Sequence, residues 1–111
     1  MTRICMLRVE GLPDSPLDAA RVFHDDYLPQ VRGNPEGADL IVVCFPLAGH
    51  QHRTWRLAGI QELAREVAPA RANAVVGADS AALDETLDFL AHAPGVTGQI
   101  LAVDGNPGKN S

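Results

Sequence analysis

The sequence has little cysteine, few aromatics and no excess of basic charge, and each scarcity removes a class of function. Two cysteines in 111 residues cannot build a disulfide framework. Cys5 and Cys44 both stand in apolar runs and read as reduced core thiols. Nine basic against 14 acidic side chains leave a net charge of −5, which argues against a nucleic-acid partner. The longest uncharged apolar run, Leu40 to Ala48, falls far short of the roughly 20 residues that a membrane span needs. The start, Met1 to Arg8, lacks the apolar stretch of a signal peptide. A cytoplasmic protein with no membrane partner is the expectation. The sequence is 46% hydrophobic and 21% charged, which fits a globular fold rather than disorder. Its length fits one domain, taken as residues 1–105 with a polar tail over 106–111.

Strand and helix patterns alternate along the chain. Arg3 to Val9 predicts a strand closed by a turn at Gly11-Leu12-Pro13-Asp14. Ser15-Pro16-Leu17-Asp18 predicts a helix start, with Ser15 as cap, Pro16 at the first helical position and Asp18 near the positive end. Ala20, Phe23, Tyr27, Leu28 and Val31 recur at helical steps, and Gly33 to Gly37 breaks the pattern. Leu40 to Phe45 is apolar on both faces, as in a strand buried on both sides. A helix from about Gln51 to Val67 turns Trp55, Ile60, Leu63, Ala64 and Val67 inward. It leaves three arginines, Arg53, Arg56 and Arg65, to solvent, and Pro69 ends it. Ala72 to Val76 predicts a third strand. Ser80 caps a third helix carrying Leu83, Leu87 and Leu90, which stops near Pro94-Gly95. Gln99 to Val103 predicts the last strand. The order β-α-β-α-β-α-β implies an α/β fold with a Rossmann-like parallel sheet of about four strands and three helices.

Right-handed crossovers place all three helices on one face if the strands lie in sequence across the sheet. The bare face would then hold Ile, Val and Leu side chains, and an exposed patch of that kind marks an interface. Either the last helix switches faces or a second chain covers the sheet; a partner is expected in both cases.

Several stretches carry a resemblance. Val96-Thr97-Gly98-Gln99-Ile100-Leu101-Ala102-Val103-Asp104-Gly105 is similar to V-T-G-Q-x-L-x-V-D-G-G, the closing strand of the short-chain dehydrogenase/reductase (SDR) family. Leu63 to Pro69 resembles the family's L-A-x-E-L-A-P, and Ala70 to Val75 its I-R-V-N-A-V strand. Ile41 to Gly49 resembles I-V-N-I-S-S-x-A-G, Leu28-Pro29 an L-P that precedes it, and Leu7 to Gly11, more distantly, V-N-N-A-G. The matches keep the family's order and span nearly the whole chain. They correspond to the C-terminal half of the family fold and imply a truncated member.

The departures from the family pattern bear on activity. The T-G-x-x-x-G-x-G loop, whose glycines admit a pyrophosphate to a helix N-terminus, has no counterpart, so no cofactor is expected. The family's catalytic Ser aligns with Pro46, which has no hydroxyl. The Y-x-x-x-K stretch is shortened to Gly49–Arg53 and contains no Tyr, and the Lys position falls at Arg53. The chain's one tyrosine, Tyr27, belongs to the first helix. The expectation is no catalytic residues and no NAD(P)-dependent reductase activity from this chain alone.

Other constellations have bland alternatives. His50-Gln51-His52 offers two imidazoles, but a zinc site needs more ligands, so no metal is expected. Cys44 reads as a structural thiol rather than a nucleophile. Asp25-Asp26 reads as a solvated helix face, and Arg53, Arg56, Arg65 and Arg71 as scattered surface charge.

By the resemblance, the helices carrying Phe23, Tyr27, Trp55 and Leu63 correspond to the family's dimer-forming pair. Those four are candidate interface residues, with helix-on-sheet packing as the plain alternative. The expected role is a non-catalytic assembly module, partnered by itself or by a full-length SDR subunit. The second hypothesis is a small-ligand binder, or an enzyme of unrelated chemistry, in the crevice at the carboxyl ends of the strands. Glu10, Pro46, Gly49 and Asp79 would line that crevice.

Overall fold

A computed structural model describes residues 2–77 and 80–102. Four strands, β1 (Ile4–Arg8), β2 (Leu40–Phe45), β3 (Arg71–Val76) and β4 (Ile100–Ala102), form one sheet in the order β1-β2-β3-β4. All three pairings are parallel. Between them run the helices α1 (Pro16–Val22), α2 (Arg53–Val67) and α3 (Ser80–Ala91). The predicted alternation therefore holds in order and type. Val103, the tail over 106–111 and the Ser80 cap lie outside the described residues.

The first helix is shorter than its apolar periodicity implies. It begins as the sequence dictates: Pro16 takes the first position and the Ser15 side chain accepts from Asp18 N. After Val22 it loosens into a π turn over Phe23–Tyr27 and then a 3-10 turn over Leu28–Gln30. Pro29 lacks the N–H that would bond the Asp25 carbonyl, and its ring crowds that carbonyl. The chain leaves α geometry at Phe23, nearly two turns ahead of it.

Side-chain alternation in β2 separates two cores. Ile41, Val43 and Phe45 pack with Leu7, Phe23, Ile60, Leu63, Ala72 and Ala74 under α1 and α2. Leu40 and Val42 pack with Val75, Leu83 and Leu90 under α3. The last helix therefore switches faces, and its crossover has the hand opposite to the other two. Burying Leu83 and Leu90 against the sheet stabilises by about 1.5–3 kcal/mol each. The open face expected if all three helices share a side is thus largely closed within the chain.

The motif ahead of β4 makes this return possible. Arg71 Nη1 donates to the Leu90 and Ala93 carbonyls at 2.8 and 2.9 Å, satisfying main-chain acceptors at the end of α3. Asn73, fully buried, donates through Nδ2 to Val96 O at 2.9 Å and accepts from Gln99 N at 3.1 Å. Ala72 N donates to Thr97 Oγ1 at 3.1 Å, and Gly98 N donates to Ala72 O at 2.7 Å. Gly98 holds φ at +72°, a conformation that favours glycine. The stretch that most resembles the SDR pattern is thus an architectural clasp between β3 and β4.

Candidate functional site

The carboxyl ends of β1, β2 and β3 meet around the Pro46–His52 connection, which separates three pockets. One, of about 100 Å³, has Glu10, Pro46 and Gly77 in its wall. A second, of about 470 Å³, lies between the Gly11–Asp14 turn and the stretch from Pro46 to His52. The third, of about 170 Å³, lies between that connection, the start of α2 and the ends of β3 and β4. Glu10 and Pro46 share the first pocket, and Pro46 and Gly49 the second. Asp79 lies outside the described residues. The Glu10 side chain is not what its own main chain uses: Tyr27 Oη donates to Glu10 O at 2.6 Å, tying the first helical segment to the end of β1.

The feature missed in the sequence is Arg56. Read as solvent-facing, it is 5% exposed. It stands on the inward stripe of α2 with Ile60, Leu63 and Val67, all buried, and the spacing 56-60-63-67 carried that signal. Its guanidinium lies over the Phe45 ring, 4.5 Å from the centroid. Nη1 donates to Pro46 O at 3.0 Å, while Nε is buried without a partner. Among the described residues it has no carboxylate within salt-bridge distance. Burial lowers its pKa below the ordinary guanidinium range. A cation–π contact supplies about 0.5–2 kcal/mol, less than the several kcal/mol that desolvating an ion costs.

His52 lies beside it, 6% exposed. Trp55 Nε1 donates to His52 Nδ1 at 3.0 Å, so the ring hydrogen sits on Nε2. His52 is also the N-cap position of α2, and no side chain caps that helix start.

The four interface candidates lie on the α1–α2 side. Phe23 and Leu63 are buried in the chain's own core, at 0% and 2% exposure, and have no surface left for a partner. Tyr27 and Trp55 are half-buried against the same core. Phe23, Phe45 and Trp55 form a ring cluster with centroids 5.3–5.7 Å apart. The close approach of Phe23 to α2 needs Gly59, where a Cβ would stand 3.3 Å from Phe23 Cε2.

Uncovered surface lies instead at β1. Ile4 and Met6 are in register with Leu40 and Val42 on the α3 side of the sheet. Leu40 and Val42 are fully buried, whereas Ile4 and Met6 are 38% and 37% exposed. Arg3 O accepts from Leu40 N, and Val9 N donates to Cys44 O. Odd positions of β1 thus bond β2, and the main-chain groups of Ile4, Met6 and Arg8 point out from the sheet edge.

The remaining candidates are structural. Burial, first, and then Glu36 push the Cys5 thiol up; burial likewise raises Cys44. Neither favours the thiolate that a nucleophile requires. Among the described residues, no three His, Cys, Asp or Glu side chains gather as metal ligands, and no helix is long and apolar enough to cross a membrane. Nor do the strand ends fit a dinucleotide. The β1–α1 turn leads into a start where Pro16 has no N–H and Asp18 N is bonded to Ser15. At Gly49, a Cβ would collide with the Gln51 side-chain amide.

Residues 7–103 match the SDR-like family of short chain dehydrogenase-like proteins. No curated protein and no solved structure matches the chain. With four parallel strands, their interleaved helices and a match over most of its length, the chain belongs to the SDR-like family.

Proposed function

We propose that this chain is a non-catalytic, SDR-derived assembly module that pairs through the free edge of β1 with a second copy of itself. The observation that carries the reading is the contrast along one sheet face. Leu40 and Val42 are fully buried, but their register partners Ile4 and Met6 are more than a third exposed beside a strand edge that no other described strand pairs. Open edges are templates for strand addition. A two-fold pairing centred on Met6 sets Met6 against its own copy and Ile4 against Arg8 of the second copy, so no like charges oppose each other.

The non-catalytic part rests on the aligned positions. Pro46 stands at the Ser position and Arg53 at the Lys position, and the Tyr27 hydroxyl is occupied with the Glu10 main chain. Covering the exposed third of four Ile and Met side chains contributes about 2–4 kcal/mol, with strand hydrogen bonds in addition. With about six edge hydrogen bonds at roughly 0.5–1.5 kcal/mol each, the gross sum is about 5–13 kcal/mol, and after the cost of association pairing is no tighter than micromolar.

Size-exclusion chromatography with light scattering tests the proposal, comparing the wild type with Met6→Lys, a charge of the kind that blocks sheet edges. The expected result is a wild-type dimer at tens of micromolar and a folded Met6→Lys monomer. A wild-type monomer at every concentration rejects self-pairing. If that monomer instead joins a full-length SDR subunit on co-expression, and Met6→Lys abolishes the complex, the edge has the other occupant.

A further inference from the structure

We propose that the pocket between the Pro46–His52 connection, the start of α2 and the end of β4 is a binding site for a small oxyanion, a carboxylate or a phosphate carrying a short apolar body, seated on Arg56. This goes beyond the assembly role and does not depend on it.

The first observation is the orphaned guanidinium. Arg56 is 5% exposed, and its Nε is buried with no hydrogen-bond partner. Nη1 is engaged with Pro46 O, and no described residue bonds Nη2. The unengaged edge, Nε with Nη2, is the one that grips a carboxylate side-on. Arg32 uses that same edge on Glu66 in this chain, at 3.0 Å from Nε and 2.8 Å from Nη2. A buried guanidinium held by one carbonyl and the faces of Phe45 and Trp55, with no anion among the described residues, is the arrangement an external anion completes.

The surroundings agree in sign and size. The pocket wall carries the cations Arg53 and Arg56 on one side, beside the imidazoles of His50 and His52, and contains no acidic side chain among the described residues. The opposite side is apolar, with Val76 and Ile100. Its volume of about 170 Å³ suits an anion with a few carbons and excludes a dinucleotide, since drug-sized ligands occupy roughly 300–1,000 Å³.

Thermal-shift titration of the full chain tests the site. Butyrate, inorganic phosphate and butyl phosphate are the probes, with butyramide and chloride at matched ionic strength as controls. The comparison includes Arg56→Met and Arg56→Lys. The expected result is a saturable rise in Tm with at least one oxyanion, and none with butyramide or chloride. Arg56→Met keeps the shape of the side chain without its charge and abolishes the response; Arg56→Lys keeps the charge without the fork and weakens the response at least tenfold. A butyrate response assigns a carboxylate ligand, and a response to either phosphate alone assigns a phosphate; both uphold the site. The proposal is overturned if the folded wild type responds to no oxyanion at tens of millimolar. It is also overturned if chloride matches the oxyanions, or if Arg56→Met responds as the wild type does. Should Arg56→Met fail to fold, Arg56→Lys decides: an undiminished response there overturns the side-on assignment. These readouts are independent of oligomeric mass, so failure here leaves the edge-pairing proposal standing, and the reverse also holds.

Discussion

Asn73→Ala removes the one side chain that ties β3 to the approach of β4 in both directions. Asn73 is 0% exposed. Its Nδ2 donates to Val96 O at 2.9 Å, and its Oδ1 accepts from Gln99 N at 3.1 Å. Alanine leaves Gln99 N without its partner and Val96 O with only the long 3.5 Å bond from Arg71 Nη1, at a cost of about 1–3 kcal/mol for each poorly met buried group. The sum is about 2–6 kcal/mol. Against a domain stability of about 5–15 kcal/mol, that is a large share. Urea denaturation followed by Trp55 fluorescence and far-UV circular dichroism should show a lower midpoint with an unchanged slope. Amide exchange at Ala74 and Gly98, whose N–H groups bond across the β3–β4 junction, should accelerate more than exchange in β1. A loss under 0.5 kcal/mol, or an effect spread evenly over the sheet, would refute the view that this family-like stretch is an architectural clasp.

Other outcomes follow from the same geometry. Phe23→Ala empties the centre of the ring cluster and should destabilise by about 3–5 kcal/mol in the same urea assay. Gly59→Val forces a branched side chain against Phe23 and should destabilise; equal stability would show that the α1–α2 contact is loose. Arg32 holds the Glu66 carboxyl below its ordinary 4.5. Its folded pKa is depressed, so the pair's support is present above that value and lost as pH falls through the folded pKa. Glu66→Gln should therefore remove a small, salt-screened part of the stability drop below about pH 4.5 in an acid titration, and leave the remainder. Native Cys44, with its pKa raised, should react slowly with a neutral-pH thiol reagent and at the free-cysteine rate in denaturant.

Much of the fold was legible because local signals and burial agreed. The two-faced apolar run Leu40–Phe45 became the central β2, and Ser15-Pro16 set the start of α1 as capping chemistry requires. The π turn at Phe23–Tyr27 was less legible, since apolar periodicity hides the change of hydrogen-bond register that Pro29 imposes. The side taken by α3 was not readable either. The choice depends on long-range closure by Arg71 and Asn73 onto Val96 and Gln99, whereas the handedness rule describes the average connection.

The site was read less well, for a related reason. Charge in a sequence is read as exposure, and Arg56 breaks that rule while sitting in step with Ile60, Leu63 and Val67. Aromatic residues drew attention as interface candidates, yet Phe23 is wholly used in the chain's own core. Uncovered apolar surface on the sheet itself includes Ile4 and Met6, two ordinary strand residues whose exposure depends on how far α3 reaches across the sheet, while Leu17, Leu47 and Phe89 are exposed outside the sheet.

The central claim, that β1 is an assembly edge, is tested most directly by sedimentation equilibrium of the full chain across a micromolar concentration series. The account predicts a rise from 11.8 kDa to twice that mass as concentration increases, abolished by Met6→Lys. A single 11.8 kDa species at every concentration, with wild type and Met6→Lys alike, would contradict it.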